Sequence, residues 1–242
     1  MITAITVLGL LLNFSPVEAG SISHQSWWQK LTKLEYVTPA KVKAEREKIR
    51  RKFDRSDMPY SLVGQIAGKV SHGHVNQLLR NWYRLPADVR HKITFMFEDA
   101  GLGQVMFLCL YESGANQWDE SWASAIGLYQ ITPRTAEAHC GIDAQAFESL
   151  YDPVDNAACA IQILLDKGVK ENLVYGLICY NGKLKSCPAK GYQKCLSDKL
   201  KTETDPRKRA AYLGSLMYVP NVLLHQAIGE AFIHRPGSLA KN

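Results

Sequence analysis

The chain is predicted to fold mainly as α-helices, on three observations. Thr or Asp stands directly before Pro at Thr38-Pro39, Thr132-Pro133, Asp152-Pro153 and Asp205-Pro206, a side-chain cap followed by a first-turn proline. Period-two alternation, which a half-buried strand needs, is nearly absent. The run from Gln104 to Tyr111 is apolar on nearly every side, as expected of a helix enclosed by its own domain.

The elements follow in chain order. Ile2 to Phe14 is mostly apolar and Val17-Glu18-Ala19 resembles a small-residue cleavage site, so residues 1–19 read as a secretory signal peptide. The apolar run is short for a membrane span, and no cysteine near the cut offers a lipid anchor. Residues 20–74 read as an N-terminal helical extension, with helices from Thr38 to about Phe53 and over Tyr60 to Lys69. Helices over Val75 to Tyr83 and from Pro86 to about Asp99 precede the apolar run. Thr132-Pro133 and Asp152-Pro153 open two more. Asn172 to Tyr180 is helical, and Asn181-Gly182 suits a left-handed C-cap. Asp205-Pro206 begins a late helix, which is expected to fray from His225, leaving 229–242 as a tail.

With 242 residues, 46% of them hydrophobic and 21% charged, the chain suffices for one globular domain and a helical extension. Lys and Arg number 29 against 23 Asp and Glu, a formal charge of +6. The basic run from Lys41 to Arg55 is interspersed with Glu45, Glu47 and Asp54 and reads as a solvated helix face. An exported basic protein meets an anionic cell envelope, and nucleic acid is not an expected partner. Six cysteines behind a signal peptide imply disulfides in an oxidising compartment, with about fifteen pairings open. None shows C-x-x-C spacing, so no metal or other cofactor is expected; Cys109, in the apolar run, reads as a buried thiol. His72-Gly73-His74 reads as an incidental pair in a loop without a third ligand.

Glu112 is the candidate for chemistry. It emerges at the C-terminal end of the apolar run, where a helix dipole already places partial negative charge. Desolvation by apolar neighbours acts in the same direction, which makes the carboxyl easier to keep protonated, as a general acid requires. Ser113 follows directly, Ser121 comes nine residues after the Glu, and Gln130 comes eighteen after it within Gly127-Leu128-Tyr129-Gln130-Ile131. Next come Pro133-Arg134-Thr135-Ala136, Leu150-Tyr151-Asp152-Pro153, Asn156 and Tyr180-Asn181-Gly182.

This order and spacing resemble the transglycosylase (SLT) domain of the soluble and membrane-bound lytic transglycosylases. The membrane-bound D-type, which carries an aromatic where this chain has Tyr129, is the nearest in pattern. The likeness extends upstream to Leu78-Leu79-Arg80-Asn81-Trp82-Tyr83 and downstream to Tyr218-Val219-Pro220-Asn221-Val222, so it spans about residues 75–228. It implies a lysozyme-like domain over 75–228 and a peptidoglycan-cleaving activity. By resemblance Glu112 is the catalytic acid and then base. Ser113, Ser121, Tyr129, Gln130, Tyr180 and Asn181 are substrate-binding or supporting residues. Ser121 would bond substrate near the scissile bond, Tyr129 would stack on a sugar, and Tyr180 would reach the catalytic Glu. Residues alone leave Ser121 open as a cap, and Tyr129 and Tyr180 open as core aromatics. Gly127 reads structurally, through close backbone approach or positive φ. Cys179, beside Tyr180, is expected to tie down one wall of the cleft. Thr132 departs from the methionine frequent in soluble members.

The resemblance makes peptidoglycan glycan strands the partner, in the periplasm or otherwise outside the cytoplasm after signal cleavage, with the protein a monomer. No appended wall-binding repeat is recognisable, so a localised cutter serving a secretion or conjugation assembly is expected. A goose-type lysozyme would need a second acid, for which only Asp119 and Glu120 stand nearby, and both read as solvated loop residues. A non-catalytic glycan-binding or assembly protein is the remaining class.

Overall fold

Helix caps and one inserted side chain set the architecture. The computed structural model describes residues 37–53, 60–182, 187 and 191–233, all within one unit that begins at Val37. The signal-peptide reading of residues 1–19, the first part of the extension and the last part of the tail lie outside these residues. The helices are α1 (Pro39–Phe53), α2 (Tyr60–Ala67), α3 (His72–Arg84), α4 (Ala87–Asp99), α5 (Leu108–Glu112), α6 (Pro133–Cys140), α7 (Pro153–Asp166), α8 (Leu173–Tyr180), α9 (Tyr192–Thr202) and α10 (Pro206–Phe232). Two 3-10 turns, Gly103–Val105 and Phe147–Tyr151, complete the order. Among the described residues there is no strand, only isolated bridges joining Glu120 to Ile126 and Ile126 to Ile131.

The cap-then-proline sites act as local chemistry predicts. Thr132 accepts from the Thr135 amide, Asp152 from those of Val154 and Asp155, and Asp205 from those of Arg207 and Lys208. Ser71 accepts from the His74 amide at 3.1 Å, so α3 starts before Val75, and His72 and His74 lie in its first turn rather than in a loop. At the end of α8, Asn181 is right-handed and Gly182, at φ +70°, is the left-handed residue.

The apolar run is buried from Val105 to Leu110, as expected, yet it is not one helix. In a continuous helix the Phe107 amide would donate to the Gly103 carbonyl. Here the side-chain amide of Gln226 sits between them. It accepts from the Phe107 N–H at 2.9 Å and donates to the Gly103 oxygen at 2.9 Å. An inserted side chain of this kind breaks the helical ladder, and only the short α5 is left to carry Glu112.

Gln226 belongs to α10, which the sequence predicts to fray from His225. The helix instead runs to Phe232, with the residues from Val222 to Gly229 all buried. Gly229 abuts the Phe107 ring, where a Cβ would collide with ring carbons. Helix α10 packs on α1, α2, α5, α8 and α9, and α1 packs on α2 and α3, so α1 and α2 join the core through α10 and α3. On the other side, α4 packs on α7 and α7 on α6.

Disulfides link Cys140 at the end of α6 to Cys159 in α7, and Cys187 to Cys195 in α9. Cys109 is a buried thiol whose pKa burial pushes up to about 12. Cys179 is also free, so the expected tie at the cleft wall is not made by this cysteine. No helix among the described residues is long and apolar enough to cross a membrane.

Candidate active site

Glu112 is the last residue of α5 and is half-buried. Its carboxylate Oε1 accepts a hydrogen bond from the Tyr218 hydroxyl of α10 at 2.5 Å. Burial first, and then the Glu112 charge, hold the Tyr218 hydroxyl well above its ordinary pKa, so it remains a donor across neutral pH. Tyr111 meets Tyr218 edge-on with ring centroids 5.4 Å apart, and it also packs on His225. Burial and the Glu112 charge raise the Tyr111 pKa too. His225 Nε2 lies 3.3 Å from His74 Nε2, and its Nδ1 bonds the Asn221 carbonyl at 2.8 Å. Burial lowers the His225 pKa to about 4. A neutral, largely buried layer of rings thus backs the acid.

The loop that follows is built on backbone bonds. The Ser113 hydroxyl donates to the Leu128 carbonyl at 2.9 Å and accepts from the Asn116 amide at 3.2 Å. Ser113 therefore ties the end of α5 to the glycine-led turn. The Ser121 hydroxyl accepts from the amides of Ala123 and Ala125, at 3.3 and 3.0 Å, and so organises a turn within the loop. Gln130 adopts φ +51° and donates through Nε2 to the carbonyls of Asp119 and Gly127, at 3.2 and 3.1 Å. Its amide nitrogen secures the loop.

The turn itself depends on two residues. Ile126 and Ile131 exchange amide-to-carbonyl bonds of 3.0 Å across it. Gly127 has φ +78°, and a Cβ there would run into the Leu150 carbonyl and lie 2.5 Å from Asn156 Nδ2. Both expected reasons for a glycine are present. Asn156 is fully buried: it accepts from the Tyr129 amide at 2.8 Å and donates to the carbonyls of Ile126 and Leu150, at 3.0 and 2.9 Å. It replaces partners that the buried turn cannot find in water.

Two tyrosines hold positions other than those expected. Tyr129 is 0% exposed, stacks on Phe97 and donates to the Met106 carbonyl at 2.9 Å. It is a core residue, and its ring is not available to a sugar. Tyr180 donates to the Tyr129 carbonyl at 2.8 Å, and the hydroxyl bonded to Glu112 is that of Tyr218. Tyr180 still feels the Glu112 charge, after burial the next cause raising its pKa. Asn181 is the half-buried C-cap of α8, its amide bonded to the Leu177 carbonyl. The fold thus gathers Glu112, Ser113, Tyr180 and Tyr218 around the turn, through Ser113 to Leu128 and Tyr180 to Tyr129. Sequence reasoning missed the roles of Tyr218 and Asn156; their signal was membership in the motif pattern.

The nearby acids are placed differently from Glu112. Glu120 is exposed and its Oε2 accepts from the Tyr151 hydroxyl at 3.1 Å. The Asp119 carbonyl is taken by Gly127 N and Gln130 Nε2. Such a site can deliver and recover one proton at a fixed carboxyl.

No curated protein and no solved structure matches the chain. Residues 101–187 match the family model of the Transglycosylase SLT domain, a segment that contains Glu112, the glycine-led turn and α8 but not Tyr218. The match and the mostly helical fold support a lysozyme-like SLT domain in this chain, and a domain of that kind points to transglycosylase-type action on peptidoglycan.

Proposed function

We propose that the protein is a lytic transglycosylase that cleaves peptidoglycan between N-acetylmuramic acid and N-acetylglucosamine without consuming water. The observation that carries this reading is Glu112, a single half-buried carboxyl gripped by a buried tyrosine hydroxyl beside the SLT turn. Its carboxylic proton passes to the glycosidic oxygen as the bond to C1 breaks. The resulting carboxylate takes the proton of the muramic C6 hydroxyl as that oxygen bonds to C1. The product is an anhydro sugar, and Glu112 ends in its starting state. The substrate's own acetamido group shields the positive charge at C1. A hydrolase would use a second carboxylate to activate water or to form a covalent intermediate. Glu120 is exposed and holds Tyr151, which supports the single-acid reading. Two disulfides suit an exported enzyme acting in the periplasm.

The test is a digest of purified peptidoglycan with the intact chain and with Glu112→Gln, read by mass spectrometry. Products lighter by one water than hydrolysis products, lost by roughly 10²–10⁴-fold with the variant, are expected. Full-mass reducing ends would instead mean hydrolysis. Turnover unaffected by Glu112→Gln would remove Glu112 from the chemistry.

A further inference from the structure

The loop between Glu112 and the glycine-led turn presents two tryptophans to solvent, Trp118 at 68% and Trp122 at 99% exposure. Large apolar rings on a surface are informative when they cluster beside a site, and scattered single ones are not. These two stand on a tightly built loop. Trp118 N donates to Asn116 Oδ1 at 3.3 Å, and the Asp119 carbonyl is held by Gly127 and Gln130. The Ser121 hydroxyl caps the turn that carries Trp122. Trp118 also stacks on Tyr151, with ring centroids 6.0 Å apart and planes 28° from parallel. Tyr151 is in turn fixed by its hydroxyl bond to Glu120. One face of Trp118 is thereby backed by a second ring, and at 68% exposure the rest of the indole is open.

We propose that Trp118, backed by Tyr151, and Trp122 form a stacking platform for the glycan strand leading into or away from the Glu112 site. A pyranose ring has one face of C–H groups, which are weakly positive, and an indole face is negative. The Trp118 ring, held against Tyr151, loses little conformational freedom when a sugar docks, and Trp122 adds a second face from an ordered turn. The exposed Glu120 carboxylate beside Tyr151 is an acceptor for sugar hydroxyl and acetamido N–H groups. Continuity with the site argues for glycan as the occupant, because the loop begins at Ser113 and ends at Gly127. The platform rests on the transglycosylase reading for the identity of the strand, and it extends the grip beyond the sugars at the scissile bond.

The test reads binding separately from turnover. The full chain carrying Glu112→Gln is sedimented with insoluble peptidoglycan and with glycan strands stripped of their peptides. The same is done after adding Trp118→Ala, Trp122→Ala, or both. Affinity is expected to fall about tenfold per ring removed, on both substrates. Trp118→Phe with Trp122→Phe, which keeps flat faces, is expected to recover most of the loss. Both indoles are on the surface, and thermal melting verifies that the variants are folded. Unchanged affinity in a folded double-alanine variant overturns the platform, as does binding that disappears when the peptides are stripped. The digest of the intact chain separates the two readings. Products together with Trp-independent binding would sink the platform alone. Trp-dependent binding without any product would sink the enzyme reading and leave the platform standing.

Discussion

Tyr218 donates its hydroxyl hydrogen to Glu112 across 106 residues of sequence. The bond joins α5, which carries the acid, to α10, and the proposed chemistry leans on it. Its donor titrates far above neutral pH, so it adds no limb of its own to the activity profile there.

Tyr218→Phe removes that donor and keeps the ring against Tyr111. A hydrogen bond to a charged group contributes about 1.5–3 kcal/mol, so kcat/KM on peptidoglycan is expected to fall about 10- to 100-fold. Thermal melting of the same variant separates this from unfolding. Full activity in a folded Tyr218→Phe protein would reduce Tyr218 to packing.

Asn156→Ala strands the Tyr129 amide and the Leu150 carbonyl inside the core, while the Ile126 carbonyl keeps the Ile131 amide. Unsatisfied buried groups cost about 1–3 kcal/mol each, so a loss of about 2 kcal/mol or more is expected in urea unfolding. A loss below about 1 kcal/mol would mean that water replaces the side chain.

Tyr129→Phe deletes the bond to the Met106 carbonyl while leaving the stack on Phe97. The expected result is a stability loss of about 1 kcal/mol with KM for peptidoglycan within about twofold of wild type. A large rise in KM without loss of stability would return this ring to the substrate, against its burial.

His225 links stability to pH. Its folded pKa, about 4, lies below the ordinary 6.5 because burial opposes the charge, with His74 adding to it against the Asn221 carbonyl. The unfolded chain takes up this proton as pH falls through 6.5, and the folded chain does not until about 4. Stability from this group is therefore complete above pH 6.5 and is lost between 6.5 and about 4, by roughly 3 kcal/mol. Urea midpoints followed over that range should fall more steeply for wild type than for His225→Asn. Parallel slopes would show that the imidazole titrates normally.

What the sequence revealed was local. Thr132, Asp152 and Asp205 bond amides two or three residues away, and a reader needs only the next few letters to expect it. The all-helical class and the burial of Val105 to Leu110 follow from composition and periodicity in the same way. The break in that run was not legible, because the side chain that causes it, Gln226, lies 119 residues on from Phe107. Nor could spacing tell Tyr180 from Tyr218 as the donor to Glu112, since both are tyrosines in suitable patterns. Tyr129 misled because a ring beside a binding turn can point outward or inward, and only Phe97 and Met106 decide it. Trp118 and Trp122 fall outside the motif pattern, and their exposure is a property of the folded loop.

Helix α10 grips the segment before Glu112 through Gln226 and Gly229, and Glu112 itself through Tyr218. A polypeptide is made from its N-terminus, so every residue of the matched segment 101–187 leaves the ribosome before any of these three. A nascent chain therefore holds its acid in an unfinished cradle until α10 has emerged and docked. A chain built in this order completes the surroundings of Glu112 only when α10 docks.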